Sequence, residues 1–215
     1  MNKRRTGRGQ ALLELAVILP VLLILLMGLV EIGYALRNYL IVVNASREGG
    51  RFAARGRFTL DDVAQRVVVA GGIVRQGNPP ADVPFLRTHG TADPNTGIAV
   101  TIIPMDSVGH VDPLSVTTYY SGVIPSRAGG VRPLLSADSV ISMTQIVQRH
   151  SPATLQINDA REAAGYERME NRIVVVEVFF MHHPLWNAPF VPLPDPWMMR
   201  AQTEMRVVTD RGTLQ

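Results

Sequence analysis

The sequence predicts an α+β fold: a single N-terminal transmembrane helix extended into an ectodomain with helices packed on one side of a small antiparallel sheet. Three features point there. An apolar run from Leu15 to Val30 lies between Glu14 and Glu31. A helix-capping pattern stands at Thr59-Leu60-Asp61-Asp62, and a long alternating apolar segment covers Arg172 to Met181. With 215 residues the chain has room for one anchor and one domain of ordinary size.

Composition narrows the function classes. The chain is 47% hydrophobic and 18% charged, which excludes a disordered protein. It has no cysteine, so a disulfide framework, a thiolate metal site and a cysteine nucleophile are all excluded. The formal net charge is +3, but Lys3, Arg4, Arg5 and Arg8 supply four positive charges near the start, and without them the remainder carries −1. A nearly neutral body offers no nucleic-acid surface.

The first element is the anchor. From Gln10 to Leu36 the helical stretch is 27 residues long, or roughly 40 Å at 1.5 Å per residue. A bilayer core needs only about 20 residues. An apolar run of 16 with charges only at its edges argues against a buried core helix. Pro20 removes one helical hydrogen bond, which membrane helices tolerate better than soluble ones. A secretory signal would have a shorter apolar region and a small-residue cleavage site. Met27-Gly28-Leu29-Val30-Glu31 contains none, so the segment stays in the protein. The positive-inside rule does not choose an orientation, because Arg37, Arg47, Arg51 and Arg55 balance the four cations before the span.

Glu14 is an acid near the start of a spanning helix, where burial at the centre would cost about 2.5–3.5 kcal/mol. It can snorkel to the headgroups and interact with its own helix N-terminus. It also stands fifth in a chain cut after Gly9, within Gly9-Gln10-Ala11-Leu12-Leu13-Glu14. The new amine at Gln10 would then neutralise a neighbouring subunit's Glu14 inside a packed helix bundle. This arrangement resembles the leader of type IV prepilins. Together with Val43-Asn44-Ala45-Ser46-Arg47-Glu48-Gly49-Gly50-Arg51-Phe52-Ala53-Ala54-Arg55-Gly56, it resembles the TadE-like family, pilin-like (pseudopilin) proteins of tight-adherence secretion systems. The likeness covers residues 8 to 56, with weaker support from Met199-Arg200 before the last strand.

The resemblance implies cleavage between Gly9 and Gln10 by a prepilin peptidase, methylation of the new N-terminus, and a domain outside the cytoplasmic membrane. Gln10 departs from the phenylalanine common at the start of major pilins. The implied organisation is a basic leader over residues 1–9, a transmembrane helix over 10–36 and an extracytoplasmic α+β domain over 37–215. The implied partners are the prepilin peptidase, other pilin-like subunits, the tight-adherence assembly machinery and the lipid bilayer.

Residues 37 to 56 continue the helix beyond the span. Arg47, Arg51 and Arg55 recur every four residues and form a basic ridge, of which Glu48 can reach Arg51. The ridge is either a solvated face or a contact for anionic headgroups or a neighbour's carboxylates. Glu31, at the end of the apolar run, belongs with these arginines as a candidate subunit or membrane contact. Thr59 caps a second helix with Asp62 at the third position, running to about Arg75 and ended by Gly77-Asn78-Pro79-Pro80. Strand signals follow at Ile98 to Ile103 and Val116 to Tyr120. Residues 138 to 148 are ambiguous between helix and strand, and Asp159 to Met169 reads as helix.

In the strongest strand, Val174, Val176, Val178 and Phe180 face the core. The other face, Ile173, Val175, Glu177, Phe179 and Met181, is apolar except for Glu177, so the N-terminal helix or a partner should cover it. A proline-rich loop from Pro184 to Pro196 follows, and a last strand from Ala201 to Thr209 pairs back. Trp186, Phe190 and Trp197 lie in or beside the loop and are expected to fill the core, a docking surface being the alternative.

Nothing in the sequence nominates a catalytic residue, a metal site or a cofactor. It contains no G-x-S-x-G elbow, P-loop or H-E-x-x-H motif. His182 and His183 are adjacent and should point to opposite faces, while His89, His110 and His150 lack ligand spacing. Gly71-Gly72 and Gly129-Gly130 read as turn or packing glycines. Two readings remain: a minor pilin-like subunit, and an uncleaved signal-anchored extracytoplasmic domain with a binding or hydrolytic role. Gly9 with Glu14 distinguishes them, because only the first explains both.

Overall fold

A computed structural model describes residues 6–56, 58–88, 90–91, 93–126, 129–186 and 195–207. Helix α1 runs from Thr6 to Ala54 with Pro20 inside it. From Gln10 to Val30 it is apolar apart from Gln10 and Glu14 and stands clear of the rest of the chain. From Glu31 onward one face becomes buried in steps of three or four residues, through Ala35, Asn38, Val42, Ala45, Ser46, Gly49 and Ala53. The small residues let α1 lie close to its neighbours. A Cβ at Gly49 would stand 2.5 Å from Val67 Cγ2, and one at Gly50 2.9 Å from Met205 Cγ.

Helix α2, Leu60–Ala70, starts with the expected capping box. Thr59 Oγ1 accepts from Asp62 N–H (3.1 Å) while the Asp62 carboxylate accepts from Thr59 N–H (2.8 Å). It ends at Ala70 rather than near Arg75. The β-branched run Val67-Val68-Val69 has low helix propensity. Gly72 then takes φ +81, and Leu86 fills the place a Gly71 Cβ would need, at 2.6 Å. Residues 73 to 76 form strand β1, Ile73–Gln76, which pairs with β2, Ala81–Pro84, across the turn at Gly77–Pro80. The glycine and prolines that looked like a helix stop are therefore a hairpin turn.

Strand β3, Thr96–Met105, lies at the centre of a five-stranded sheet. Next come β4, Thr117–Pro125, and β5, Val131–Pro133, then α3, Met143–Ala163, β6, Asn171–His182, and β7, Trp197–Val207. The order is β5-β4-β3-β6-β7 and every pairing is antiparallel. The α+β class and the long apolar helix agree with expectation. Helix α3 begins inside the ambiguous 138–148 stretch and stops at Ala163, so residues 164 to 169 are not helical. The last strand begins four residues before Ala201, and Thr209 lies outside the described residues.

The two faces of the sheet are covered differently from expectation. Val174, Val176, Val178 and Phe180 join Ile98, Val100, Met199 and Ala201 against α1 and α2, so the N-terminal helix covers the predicted core face. Opposite, Ile173 and Val175 pack with Ile103, Met105 and Ile146, and Phe179 packs with Ala99, Ile124 and Leu134. Helix α3 and the segment before it thus cover the second face. The sheet lies between helices rather than bearing them on one side, because β6 is apolar in both directions and each face needs a cover.

Candidate functional site

The apolar half of α1 presents its side chains outward. The helix is long and apolar enough to cross a membrane, and the fold leaves its apolar stretch unburied. Leu12, Leu13, Val17, Leu22, Leu25 and Leu29 are all more than half exposed. Between Gln10 and Val30 the one ionisable side chain is Glu14. Gly9 and Gln10 lie in the first turns of α1. Glu14 is exposed about 6 Å further along the axis, as four residues of helix require.

At the other end of that run α1 enters the folded part through a polar joint. Glu31 Oε2 accepts from Leu185 N–H (2.9 Å), and Glu31 Oε1 lies 3.2 Å from His182 Nε2. Asn38 Nδ2 lies 3.0 Å from His182 Nδ1. An amide N–H donates, so Nδ1 accepts, and Nε2 carries the proton given to Glu31. His182 is 1% exposed and packs beside Tyr34 and Trp197 at ring distances of 5.2 and 6.2 Å. His183 turns the other way, to Asp195 at 2.7 Å, as alternation along a strand demands. The structure therefore engages Glu31 within its own chain. Sequence reasoning missed His182 and Leu185 as its partners, and Asn38 as the residue that holds His182, although Glu31 opens the buried i, i+3/i+4 stripe of α1.

Arg47, Arg51 and Arg55 are exposed and form no ion pair among the described residues. Arg47 and Arg51 line a cleft of about 460 Å³ with Asn44, Glu48 and Arg66. Glu48 binds Arg66 of α2 at 2.6 Å rather than Arg51, which leaves the ridge less neutralised than its spacing implied. The Arg66 hydrogen bond holds the Glu48 carboxyl below its ordinary range, with Arg51 and Arg55 adding attraction. The Thr59 N–H and hydroxyl do the same for Asp62, and the Arg132 guanidinium does so for Asp138. Carboxyls depressed in the folded state contribute stability above their unfolded values, and that stability disappears as pH falls through the folded ones. Acid titration followed by near-ultraviolet circular dichroism is expected to show packing lost below the ordinary values of 4.5 for Glu48 and 3.8 for the two aspartates. A fold equally stable at pH values on both sides of that window would contradict these pairings.

Another polar cleft, of about 520 Å³, is lined by Ser142, Arg149, His150, Gln202 and Glu204 among others. His150 Nε2 is 3.1 Å from Glu204, and Ser142 Oγ accepts from Gln145 N–H at the start of α3. That serine caps the helix. Among the described residues no three His, Cys, Asp or Glu side chains converge on a metal-sized site, and His89 lies outside those residues. Trp186 and Trp197 are 42% and 45% exposed rather than core, and Phe190 lies outside the described residues. Trp197 stands at the start of β7, beside His182, where the end of the sheet turns toward α1.

The family profile described as TadE-like protein matches residues 9–51. No curated protein and no solved structure matches the chain. The matched stretch begins at Gly9, includes Glu14 and the exposed apolar helix, and ends at Arg51 in the basic ridge. The likeness to the TadE-like family thus covers most of α1, from Gly9 to Arg51.

Proposed function

We propose that the chain is a minor pilin-like subunit of a tight-adherence pilus or a related secretion apparatus. A prepilin peptidase removes residues 1–9 between Gly9 and Gln10, and the helix that remains holds the subunit in the cytoplasmic membrane with the α+β domain outside. The role is structural: α1 packs with other pilin-like subunits and the ectodomain makes the further contacts. One observation carries this reading. Glu14 is the one ionisable group between Gln10 and Val30, at a fixed offset from the amine that cleavage would create, on a helix whose apolar surface is uncovered.

Residues 10–30 extend roughly 32 Å, against a hydrocarbon core of about 30 Å. The span therefore ends at Glu31, and residues 32–36 run beside the folded domain. Arg47 lies about 24 Å beyond Glu31 along the helix axis, past the headgroup layer. The ridge of Arg47, Arg51 and Arg55 then serves a neighbouring subunit's carboxylates rather than lipid. Glu14→Leu makes the span more apolar and should insert at least as well, since a central acid costs about 2.5–3.5 kcal/mol. Its expected result is normal membrane yield with loss from the purified assembly. An unchanged yield in the assembly would remove the carboxylate's role.

A further inference from the structure

The foot of the ectodomain exposes more apolar surface than its fold requires. Leu185, Trp186, Trp197 and Met198 are 42–47% exposed at the end of the β6–β7 pair where β6 leaves the sheet and β7 enters it. Across from them on α1, Leu36 and Tyr39 are 55% and 43% exposed. Ile32, Leu36, Tyr39, Trp197 and Met198 line one groove of about 560 Å³. Two hydrogen bonds fix its height. Leu185 N–H binds Glu31, and Trp197 pairs in register with His182, whose ring nitrogen also faces Glu31. Both tryptophans therefore stand level with the residue at which the apolar span ends.

We infer that this collar is seated in the interfacial layer of a phospholipid bilayer, so that the ectodomain is docked on the membrane and not merely tethered to it. The inference rests on the reading that residues 10–30 cross the bilayer. Tryptophan and tyrosine concentrate where an apolar ring meets water and headgroups. The collar continues the lipid-facing surface without a break, through Leu29, Ile32 and Leu36, all more than half exposed. Charge fits as well. Arg37, one residue past Leu36 on α1, is exposed, placing a cation at the height where phosphates would lie. The carboxylate of Glu31 is turned inward and occupied, and the exposed pair at the rim, His183 with Asp195, satisfies itself.

Trp186 and Trp197 are the two tryptophans of the chain, so intrinsic fluorescence reports on the collar alone. The test reconstitutes the full chain at high lipid excess into vesicles of phosphatidylcholine and phosphatidylglycerol. Flotation first establishes insertion. The expected result is blue-shifted emission, strongly quenched by phosphatidylcholine brominated near the headgroup end of its chains and weakly by aqueous acrylamide. Trp186→Phe and Trp197→Phe each leave one reporter, and each should keep this pattern. A chain that floats but is quenched by acrylamide and not by brominated lipid overturns the docking while leaving the span intact. Emission protected from both quenchers also overturns it, since a second copy then covers the collar. A chain that fails to float overturns the span itself.

Discussion

Glu177→Ala is expected to destabilise the fold by about 3–5 kcal/mol, the usual consequence of breaking a buried ion pair by removing one partner. Glu177 is fully buried in the middle of β6, between Ala99 on β3 and Gln202 on β7. Its carboxylate accepts from Arg200 Nη2 (2.8 Å), from Val140 N–H (3.3 Å) and from the Ser139 hydroxyl. It thus ties the edge strand and the segment leading into α3 to the sheet. Alanine leaves those three donors without this acceptor. Domains of this size have a total stability of about 5–15 kcal/mol, so the loss is a large fraction of it. Replacing Glu177 and Arg200 together by leucine should recover much of the stability, because an apolar pair of similar volume needs no desolvation. Urea denaturation of the detergent-solubilised chain, followed by near-ultraviolet circular dichroism, reads both variants while α1 stays helical in the micelle. An alanine variant within about 1 kcal/mol of the parent would mean that the carboxylate is not holding the segment before α3.

The second large effect is steric. Gly122 lies opposite Gly97 where β4 pairs with β3, at φ +87, and a Cβ there would stand 2.0 Å from the Thr96 carbonyl oxygen. That oxygen belongs to the central strand, so it cannot move without disturbing the pairing of β3 with β6. Gly122→Ala should therefore cost more than about 3 kcal/mol, combining left-handed strain with overlap against fixed backbone. Gly72→Ala is the matched control. Gly72 has φ +81 and open space around the missing Cβ, so only the conformational part remains, about 1–2 kcal/mol. Equal losses in the two variants would show that the close approach at Gly122 does not hold the strands in place.

What could be read from the sequence was local. The apolar run with Glu14, the capping box of Thr59 and Asp62, and the alternation through β6 each depend on neighbours within a few residues, and each stands in the fold. What could not be read depended on distant partners. Glu31 meets His182 and Leu185 across more than a hundred residues, and no spacing in α1 announces them. The β1–β2 hairpin was hidden because Gly77-Asn78-Pro79-Pro80 stops a helix as readily as it turns a hairpin. Pro152 stands inside α3 and interrupts the pattern that would otherwise have shown one helix. The covering of each face of β6 was undecidable for the same reason. An apolar face states that something packs there and leaves its identity to the tertiary structure.

The proposed processing site rests on a short run of sequence. Gly9, Gln10 and Glu14 need no folded partner to be recognised, and the family match over residues 9–51 begins at that glycine. The ectodomain is different: it shows no converging catalytic constellation among the described residues, and its exposed arginines and tryptophans gain meaning from their height above the span. On the proposed reading, function is read from the helix first and from the surface beside the end of its apolar run second.

The most direct test is the intact mass and N-terminal sequence of the chain recovered from its native membrane. A chain that begins at Gln10, with or without an added methyl group, is the predicted result, and Gly9→Ala should leave the longer chain in the membrane. A chain that still carries Lys3 to Gly9 while an active prepilin peptidase is present would contradict the pilin-like account and leave a plain signal anchor in its place.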